Sequence, residues 1–186
     1  LLADVSGHGV PAALYTMFLH SLWESHKGRL LEPARFAREV GNQLHHLIRE
    51  MGPFVVALCG LFDLEHGVLR LVGSGNPPPL VFRDGGVCDE PEVAGLPFGL
   101  MEDADYDETV VPLRSGDHVL LFTDGAIEVS GADGHQLGRA GLRRVLQDVG
   151  YPGTGPAFDA IEARLLAASD RIRFDDDLTL IDVAIA

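Results

Sequence analysis

The chain has 186 residues, 46% of them apolar and 23% charged, the profile of one globular domain with room for a sizeable core. Its 14 Lys and Arg against 28 Asp and Glu leave a net charge of −14, which argues against a nucleic-acid or anionic-membrane partner, whose phosphates would be repelled. No apolar run approaches the ~18 residues of a membrane span, no signal peptide is present, and Cys59 and Cys88 form neither a disulfide framework nor a CxxC pattern, so both read as packing residues in a reduced, cytoplasmic setting.

Leu1 to Val5 reads as the end of a strand already under way, so residues 1–186 are taken as a single domain that is N-terminally incomplete. Val10-Pro11-Ala12-Ala13-Leu14 opens a helix, with Pro11 in the first turn where its missing N–H costs nothing. Leu14, Phe18, Leu19 and Leu22 are expected on one face, and Lys27-Gly28-Arg29 ends the helix. A second helix is expected from Pro33 to Arg49, amphipathic through Phe36, Val40, Leu44, Leu47 and Ile48. Phe54 to Leu64, a turn at Glu65-His66-Gly67 and Val68 to Val72 predict a hairpin. Pro77-Pro78-Pro79 excludes regular pairing locally. Leu80 to Arg83 is a short strand, Asp84-Gly85-Gly86 a tight turn, Gly95 to Gly99 a loop, Glu108 to Leu113 a weak strand and His118 to Phe122 a strong one. Ala140 to Val149 and Pro156 to Ala168 read as helices separated by Tyr151 to Gly155, and Leu178 to Ile185 closes the chain as a strand. Strands and helices come in blocks rather than strict alternation, which favours an α+β fold with antiparallel sheets.

Three acids sit at the ends of apolar runs: Asp4, Asp124, and the Asp175-Asp176-Asp177 run before Leu178. Taken singly, each has an ordinary explanation as a turn residue or a solvated acidic patch. Jointly they point elsewhere, because a carboxylate at the end of a buried strand is costly to desolvate. Three gathered together would repel one another unless a hard divalent cation, which prefers oxygen ligands, relieved the charge. His8 has no partner in metal-ligand spacing and reads as a loop histidine with a structural hydrogen bond. No G-x-S-x-G elbow, Walker A or dinucleotide fingerprint is present.

Five segments, in order, carry a resemblance. Asp4-Val5-Ser6-Gly7-His8-Gly9-Val10-Pro11-Ala12-Ala13-Leu14 resembles the signature of the metal-dependent type 2C (PPM) serine/threonine protein phosphatases, in the bacterial SpoIIE/RsbU branch. Ser74-Gly75-Asn76-Pro77-Pro78-Pro79-Leu80 resembles the family's Ala-Gly-His-Pro-Pro-Pro-Leu loop, with Asn76 in the place of His, and Gly95-Leu96-Pro97-Phe98-Gly99 its Gly-Leu-Pro-Leu-Gly loop. Leu121-Phe122-Thr123-Asp124-Gly125 and Asp176-Asp177-Leu178-Thr179-Leu180 complete the set.

The resemblance implies an α-β-β-α sandwich of two antiparallel sheets flanked by helix pairs, with two Mn²⁺ or Mg²⁺ ions. Asp4 would bridge both, the carbonyl of Val5 would bind one, and Asp124 and Asp176 would complete the set, with Asp177 behind them. Two such ions activate water at neutral pH and neutralise phosphoryl oxygens, so attack would be direct, without a phospho-enzyme. The family's Gly-Gly-Asp motif, on a strand before Asp4, lies upstream of this chain. Ser6 stands where eukaryotic relatives carry a histidine acid, leaving leaving-group protonation to water. The implied substrate is a phosphorylated anti-sigma-factor antagonist of the STAS type, in bacterial stress or sporulation-like signalling. An upstream sensor or receiver domain is implied in the full chain, and a homodimer is a further partner. The alternatives are a catalytically weak or inert partner-binding output domain and a hydrolase of small phosphoesters.

Overall fold

The computed structural model describes residues 1–48, 53–83, 86, 88–131, 134–153, 158–169, 174 and 176–186. Arg49, the Asp84-Gly85 part of the tight turn, Thr154 to Pro156 and Asp175 of the acidic run lie outside the described residues. In chain order the elements are β1 (Leu2–Val5), α1 (Val10–His26), α2 (Pro33–Ile48), β2 (Val55–Asp63), β3 (Val68–Ser74), β4 (Leu80–Phe82), β5 (Cys88–Asp89), β6 (Thr109–Pro112), β7 (His118–Phe122), α3 (Gly138–Asp148), α4 (Phe158–Ser169) and β8 (Leu180–Ala184). They form two compact units, Leu1–Pro78 with Pro91–Arg114 and Pro79–Glu90 with Ser115–Ala186.

The first unit holds an antiparallel sheet in the order β1-β2-β3-β6. Its centre is the β2–β3 hairpin, closed by a turn in which the Asp63 carboxylate accepts the backbone N–H of His66 at 3.0 Å and meets its ring at 2.8 Å. Those bonds, the backbone one first, hold the Asp63 carboxyl below the usual carboxylate range. α2 is strongly one-sided: Phe36, Ala37, Val40 and Leu44 are fully buried and pack with Val55, Ala57 and Val72. Each large side chain of that set stabilises the fold by roughly 1.5–3 kcal/mol. Leu47, expected on the same face, is exposed.

α1 departs further from expectation. Leu19 and Leu22 are buried and Phe18 and Trp23 partly so, but Leu14 is 61% exposed, as are Val10 at 73% and Met17 at 71%. At about 100° per residue, the eight residues from Leu14 to Leu22 turn the helix by about 80°. The buried stripe of this helix lies in its C-terminal half, and Leu14 falls beside it rather than on it.

The second unit holds the sheet β5-β4-β7-β8, with β7 in the interior. Leu80, Leu120 and Phe122 pack with Leu142 and Leu146 of α3 and Ile161 and Leu165 of α4, all buried. β8 runs antiparallel to β7, with Phe122 opposite Leu180 and Leu120 opposite Asp182. Asp182 accepts the Tyr151 hydroxyl at 2.8 Å and meets His118 Nδ1 at 3.0 Å, tying the chain after α3 to both strands. Arg83 donates to buried Asp117 at 2.6 Å and to Asp89 at 2.7 Å. Among the described residues, β5, two residues long, is the one strand the sequence reading did not anticipate. Each unit thus pairs one antiparallel sheet with two helices, the α+β organisation expected.

Both cysteines are free thiols, Cys59 buried and Cys88 half-buried. Burial pushes the Cys59 thiol up to about 12 and raises that of Cys88, as befits packing residues rather than nucleophiles. No helix among the described residues is long and apolar enough to cross a membrane.

Candidate metal centre

β7 carries the chain to Phe122, and Thr123 then locks its end. The Thr123 N–H donates to the Thr179 carbonyl at 3.2 Å, its Oγ1 donates to the Asp177 carbonyl at 3.0 Å, and that same Oγ1 accepts the Thr179 N–H at 3.0 Å. These three bonds fix the segment before β8 against the segment after β7. Gly125 completes the fit: a Cβ there would lie 2.4 Å from the Asp177 carbonyl oxygen. Only a residue without a side chain lets the two backbones approach this closely.

A single 3₁₀ turn, Asp124–Ala126, follows the strand, and the Asp124 carbonyl accepts the N–H groups of both Ile127 (2.8 Å) and Glu128 (2.9 Å). One turn of helical backbone places residues i and i+4 on the same side, so Glu128 returns beside Asp124. On the facing segment, Asp176 Oδ1 accepts the Asp177 N–H at 2.8 Å, which orients its carboxylate. The result is a cluster of Asp124, Glu128 and Asp176 in which one carboxylate oxygen from each lies within 4.8 Å of the others. Asp177 contributes to it through its backbone, as a donor to Asp176 and an acceptor from Thr123.

Among the described residues, no salt bridge reaches any of these three acids. Two unit charges at such a separation repel by about 1 kcal/mol in water and by about 3 kcal/mol at the effective dielectric of a protein surface. Asp124 Oδ1, moreover, is buried and has no hydrogen-bond partner. A buried acceptor without a donor is costly, and the cost rises when the group is a carboxylate. An all-oxygen set of carboxylates with one orphaned oxygen suits a hard divalent cation. The residues therefore fit the metal that the sequence resemblance implies.

Asp124 and Asp176, two of the sequence-predicted ligands, are brought together by the second unit. Glu128 was missed. The signal was present in Asp124-Gly125-Ala126-Ile127-Glu128, an acid at i+4 from an acid, but Asp124-Gly125 reads first as a strand-ending turn.

Asp4 and Val5 belong to the first unit. Asp4 lies on β1 opposite Val56, and Val5 opposite Val55. Beyond them the Ser6 N–H donates to the Phe54 carbonyl and the Phe54 N–H to Ser6 Oγ, both at 2.9 Å, so Ser6 extends the pairing by one residue. Gly7 and Gly9 follow with φ of 91° and 78°, in the left-handed region that favours glycine, and Gly9 leads into α1. His8 is exposed, and the hydrogen bond expected of its ring is not found among the described residues.

Within the first unit, Ser74 and Gly75 of one remaining motif loop pack on Leu96 and Pro97 of the other. The Phe98 N–H donates to the Val55 carbonyl at 2.8 Å and the Phe98 carbonyl accepts the Val55 N–H at 3.3 Å, bridging the loop to the start of β2. Ser74 Oγ donates to the Leu96 carbonyl at 3.0 Å. A Cβ on Gly95 would lie 1.9 Å from the Gly73 carbonyl oxygen, and one on Gly75 3.0 Å from Pro97 Cγ. Asn76 is buried and donates to the Pro77 carbonyl at 3.0 Å.

With fold and acids in place, kinship can be stated. The family profile of Stage II sporulation protein E (SpoIIE) matches residues 1–185, and the chain belongs to that family. The SiaA-PP2C domain of Pseudomonas aeruginosa superimposes on 99% of this chain and 74% of its own with a TM-score of 0.82 at 23% identity, so the fold is that of a PP2C-type domain. Among proteins of known role, the chain is similar to the phosphoserine phosphatase RsbP of Bacillus subtilis, 28% identical over 131 residues that make up 69% of this chain and 32% of that protein. It is also similar to the phosphoserine phosphatase RsbU of Bacillus subtilis, 24% identical over 182 residues, 97% of this chain and 53% of that protein. The chain thus spans between a third and about half of the length of these relatives.

Proposed function

We propose that this chain is a metal-dependent protein serine/threonine phosphatase domain. Asp124 and Asp176 would hold a divalent cation, Mn²⁺ or Mg²⁺, at the end of β7, and the family resemblance assigns Asp4 and the carbonyl of Val5 to metal binding as well. Bound ions of this kind activate water and neutralise the oxygens of a phosphoryl group. The chain's own part is to present carboxylates at fixed positions and to leave the nucleophile to water, and among the described residues no Ser or Cys belongs to the acidic cluster. The observation that carries the reading is the buried, unpartnered Asp124 Oδ1 beside two further carboxylates. Membership of the SpoIIE family and likeness to two phosphoserine phosphatases support the phosphomonoester as substrate.

The finer reading is a phosphorylated anti-sigma-factor antagonist of the STAS type as substrate, in a cytoplasmic signalling pathway, with an upstream sensor domain in the full protein. The net charge of −14 agrees with a protein rather than a nucleic-acid partner.

The test is release of phosphate from a phosphoserine peptide by this chain, with and without Mn²⁺, beside Asp124→Asn. Mn²⁺-dependent turnover that falls at least a hundredfold in the variant is expected. Mn²⁺ binding with no turnover of the peptide, in folded protein, would replace the enzyme by a partner-binding domain of the same fold.

A further inference from the structure

Phe54 is a large aromatic residue, 42% exposed, beside the Asp4 motif, and the metal chemistry makes no use of it. We infer that Phe54, with Val56 and Pro97, forms an apolar shelf that seats the side chains flanking the substrate's phosphoserine, so that the domain selects phosphoserine segments with bulky apolar neighbours. The inference rests on the phosphatase reading above and adds the local chemistry of the substrate to it.

The register of the first sheet puts the shelf on the side of Asp4. Asp4 lies directly opposite Val56, and the two bonds between Ser6 and Phe54 carry the pairing one residue further. Residues directly opposite share a face, and side chains alternate along a strand. Val55 and Ala57 are fully buried in the core against α2. Val56 and Phe54 therefore face the other way, with Asp4. Phe54 stands two residues, about 7 Å, along from the point opposite Asp4. Pro97 comes onto the same side from the neighbouring loop, because Phe98, the residue after it, is paired with Val55 and buried with it. A Cβ added to Gly75 would lie 2.9 Å from Val56 Cγ1 and 3.0 Å from Pro97 Cγ, so both side chains border that glycine.

The chemistry of the shelf sets what it accepts. Residues 53–57, 74–79 and 95–100, which build it and its borders, contain no charged side chain, although 23% of the chain is charged. Such a surface gives a basic or acidic flank no partner and favours burial of apolar area. Both bonds from Phe54 to Ser6 use the Phe54 backbone, so the ring sits in a fixed frame yet stays partly exposed. Aromatic side chains in that condition are enriched at protein interfaces. The occupant follows from position. A phosphoseryl group delivered to Asp4 brings its neighbours with it, and in an extended segment the residue two places away lies on the same face, about 7 Å along. That is the offset of Phe54.

Mn²⁺-dependent phosphate release is measured on three peptides that differ only at the positions two before and two after the phosphoserine, which are leucine, glycine or lysine. A kcat/KM at least fivefold higher for the leucine peptide than for the glycine peptide is expected, carried by KM. Phe54→Ala should reduce that preference to less than twofold. Leu64→Ala, which removes a side chain 70% exposed just past the other end of β2, should leave it intact. Damage to the fold or to the metal centre slows all three peptides alike, so the ratio reports the shelf alone. Equal kcat/KM for the leucine and glycine peptides overturns the inference. A leucine preference that survives Phe54→Ala overturns it too, as does a lysine peptide preferred to the leucine one, which would make the acidic charge of the chain the selector. No Mn²⁺-dependent release from any of the peptides, in folded protein, defeats the phosphatase reading itself and the inference with it.

Discussion

Asp4 and Asp124 both lie near the C-terminal end of a strand with glycine downstream, Gly7 and Gly125, but the chain fixes them by different means. Asp4 lies on β1, an edge strand that pairs with β2 alone in its sheet, and the loop beyond it turns on two glycines whose added Cβ atoms would meet nothing within 4 Å. Asp124 follows β7, an interior strand flanked by β4 and β8, and its glycine is pressed against the Asp177 backbone. The chain around Asp4 is held by pairing to one neighbouring strand and a twofold Ser6–Phe54 bond before a loop set by backbone conformation, the chain around Asp124 by packing on both sides and a threefold hydrogen-bond clasp at Thr123. A position set by conformation tolerates local motion, whereas one set by packing does not, because interiors resist small displacements. The second unit is therefore the rigid half of the acidic set.

The most severe way to break that rigidity is Gly125→Ala. The new methyl would meet backbone rather than a yielding side chain, so strands or turn must shift. A loss of about 3 kcal/mol in stability is expected, the upper part of the range for overpacking, read as a lowered urea midpoint with an unchanged slope. Mn²⁺ affinity should fall with it, since Asp124 and Asp176 are separated by the same displacement. A variant with native stability and native Mn²⁺ affinity would show that the clasp is dispensable.

A smaller effect is expected from Tyr151→Phe, which removes the hydroxyl donated to Asp182 on β8. The carboxylate keeps His118, so the loss should be about 1.5–2 kcal/mol at neutral pH, the low end of the range for a hydrogen bond to a charged group. The variant also carries a pH signature. Burial, and then the Asp182 carboxylate, push the Tyr151 phenol well above the range of an exposed tyrosine. Below about pH 10 the phenol is protonated whether the chain is folded or not. Above it the unfolded chain gives up the proton first, binds fewer protons than the native state, and stability falls as pH rises. Tyr106 and Cys59 in the first unit, each pushed up to about 12 mainly by burial, add to the same alkaline loss. Tyr151→Phe should therefore flatten the fall of melting temperature between about pH 10 and 11 without abolishing it. An identical slope in the two proteins would remove Tyr151 from this account.

The contrast between the halves also explains what was legible in the sequence. β7 is foreseen residue for residue because Val119, Leu120 and Phe122 form an apolar run between polar ends. α2 is foreseen because its buried residues recur at helical spacing. The failures share a cause. Leu14 is exposed because the stripe on α1 turns with the helix, and hydrophobicity without a partner surface cannot say which part of a face is covered. β5, two residues long, and the bridge of Phe98 to Val55 are tertiary pairings with no local periodicity to announce them. Glu128 escaped because the eye stops at Asp124-Gly125, whereas the i+4 relation exists only once the strand is known to end in a helical turn. The glycines were read as permissive turn residues. At Gly95 and Gly125 the structure shows a second reason, close backbone approach, which a sequence cannot distinguish from the first.

The least disruptive test addresses the conformational half. Gly7→Ala places a methyl where there is open space, so no clash contributes, and the cost is the left-handed backbone alone at φ of 91°. For an L residue that cost is about 1 kcal/mol, partly offset because alanine also restricts the unfolded chain. A chain with so small a penalty can relax it by moving the loop, which adjoins Asp4 on a strand paired on one side. Gly7→Ala should therefore lower the melting temperature by only a few degrees while leaving the Mn²⁺ affinity of the second unit within threefold of the unaltered chain, and should reduce Mn²⁺-dependent turnover more than it reduces either. Loss of Mn²⁺ affinity comparable to that of Gly125→Ala would mean that the loop after Asp4 governs the carboxylate cluster, and the division between a packed half and a conformational half would have to be abandoned.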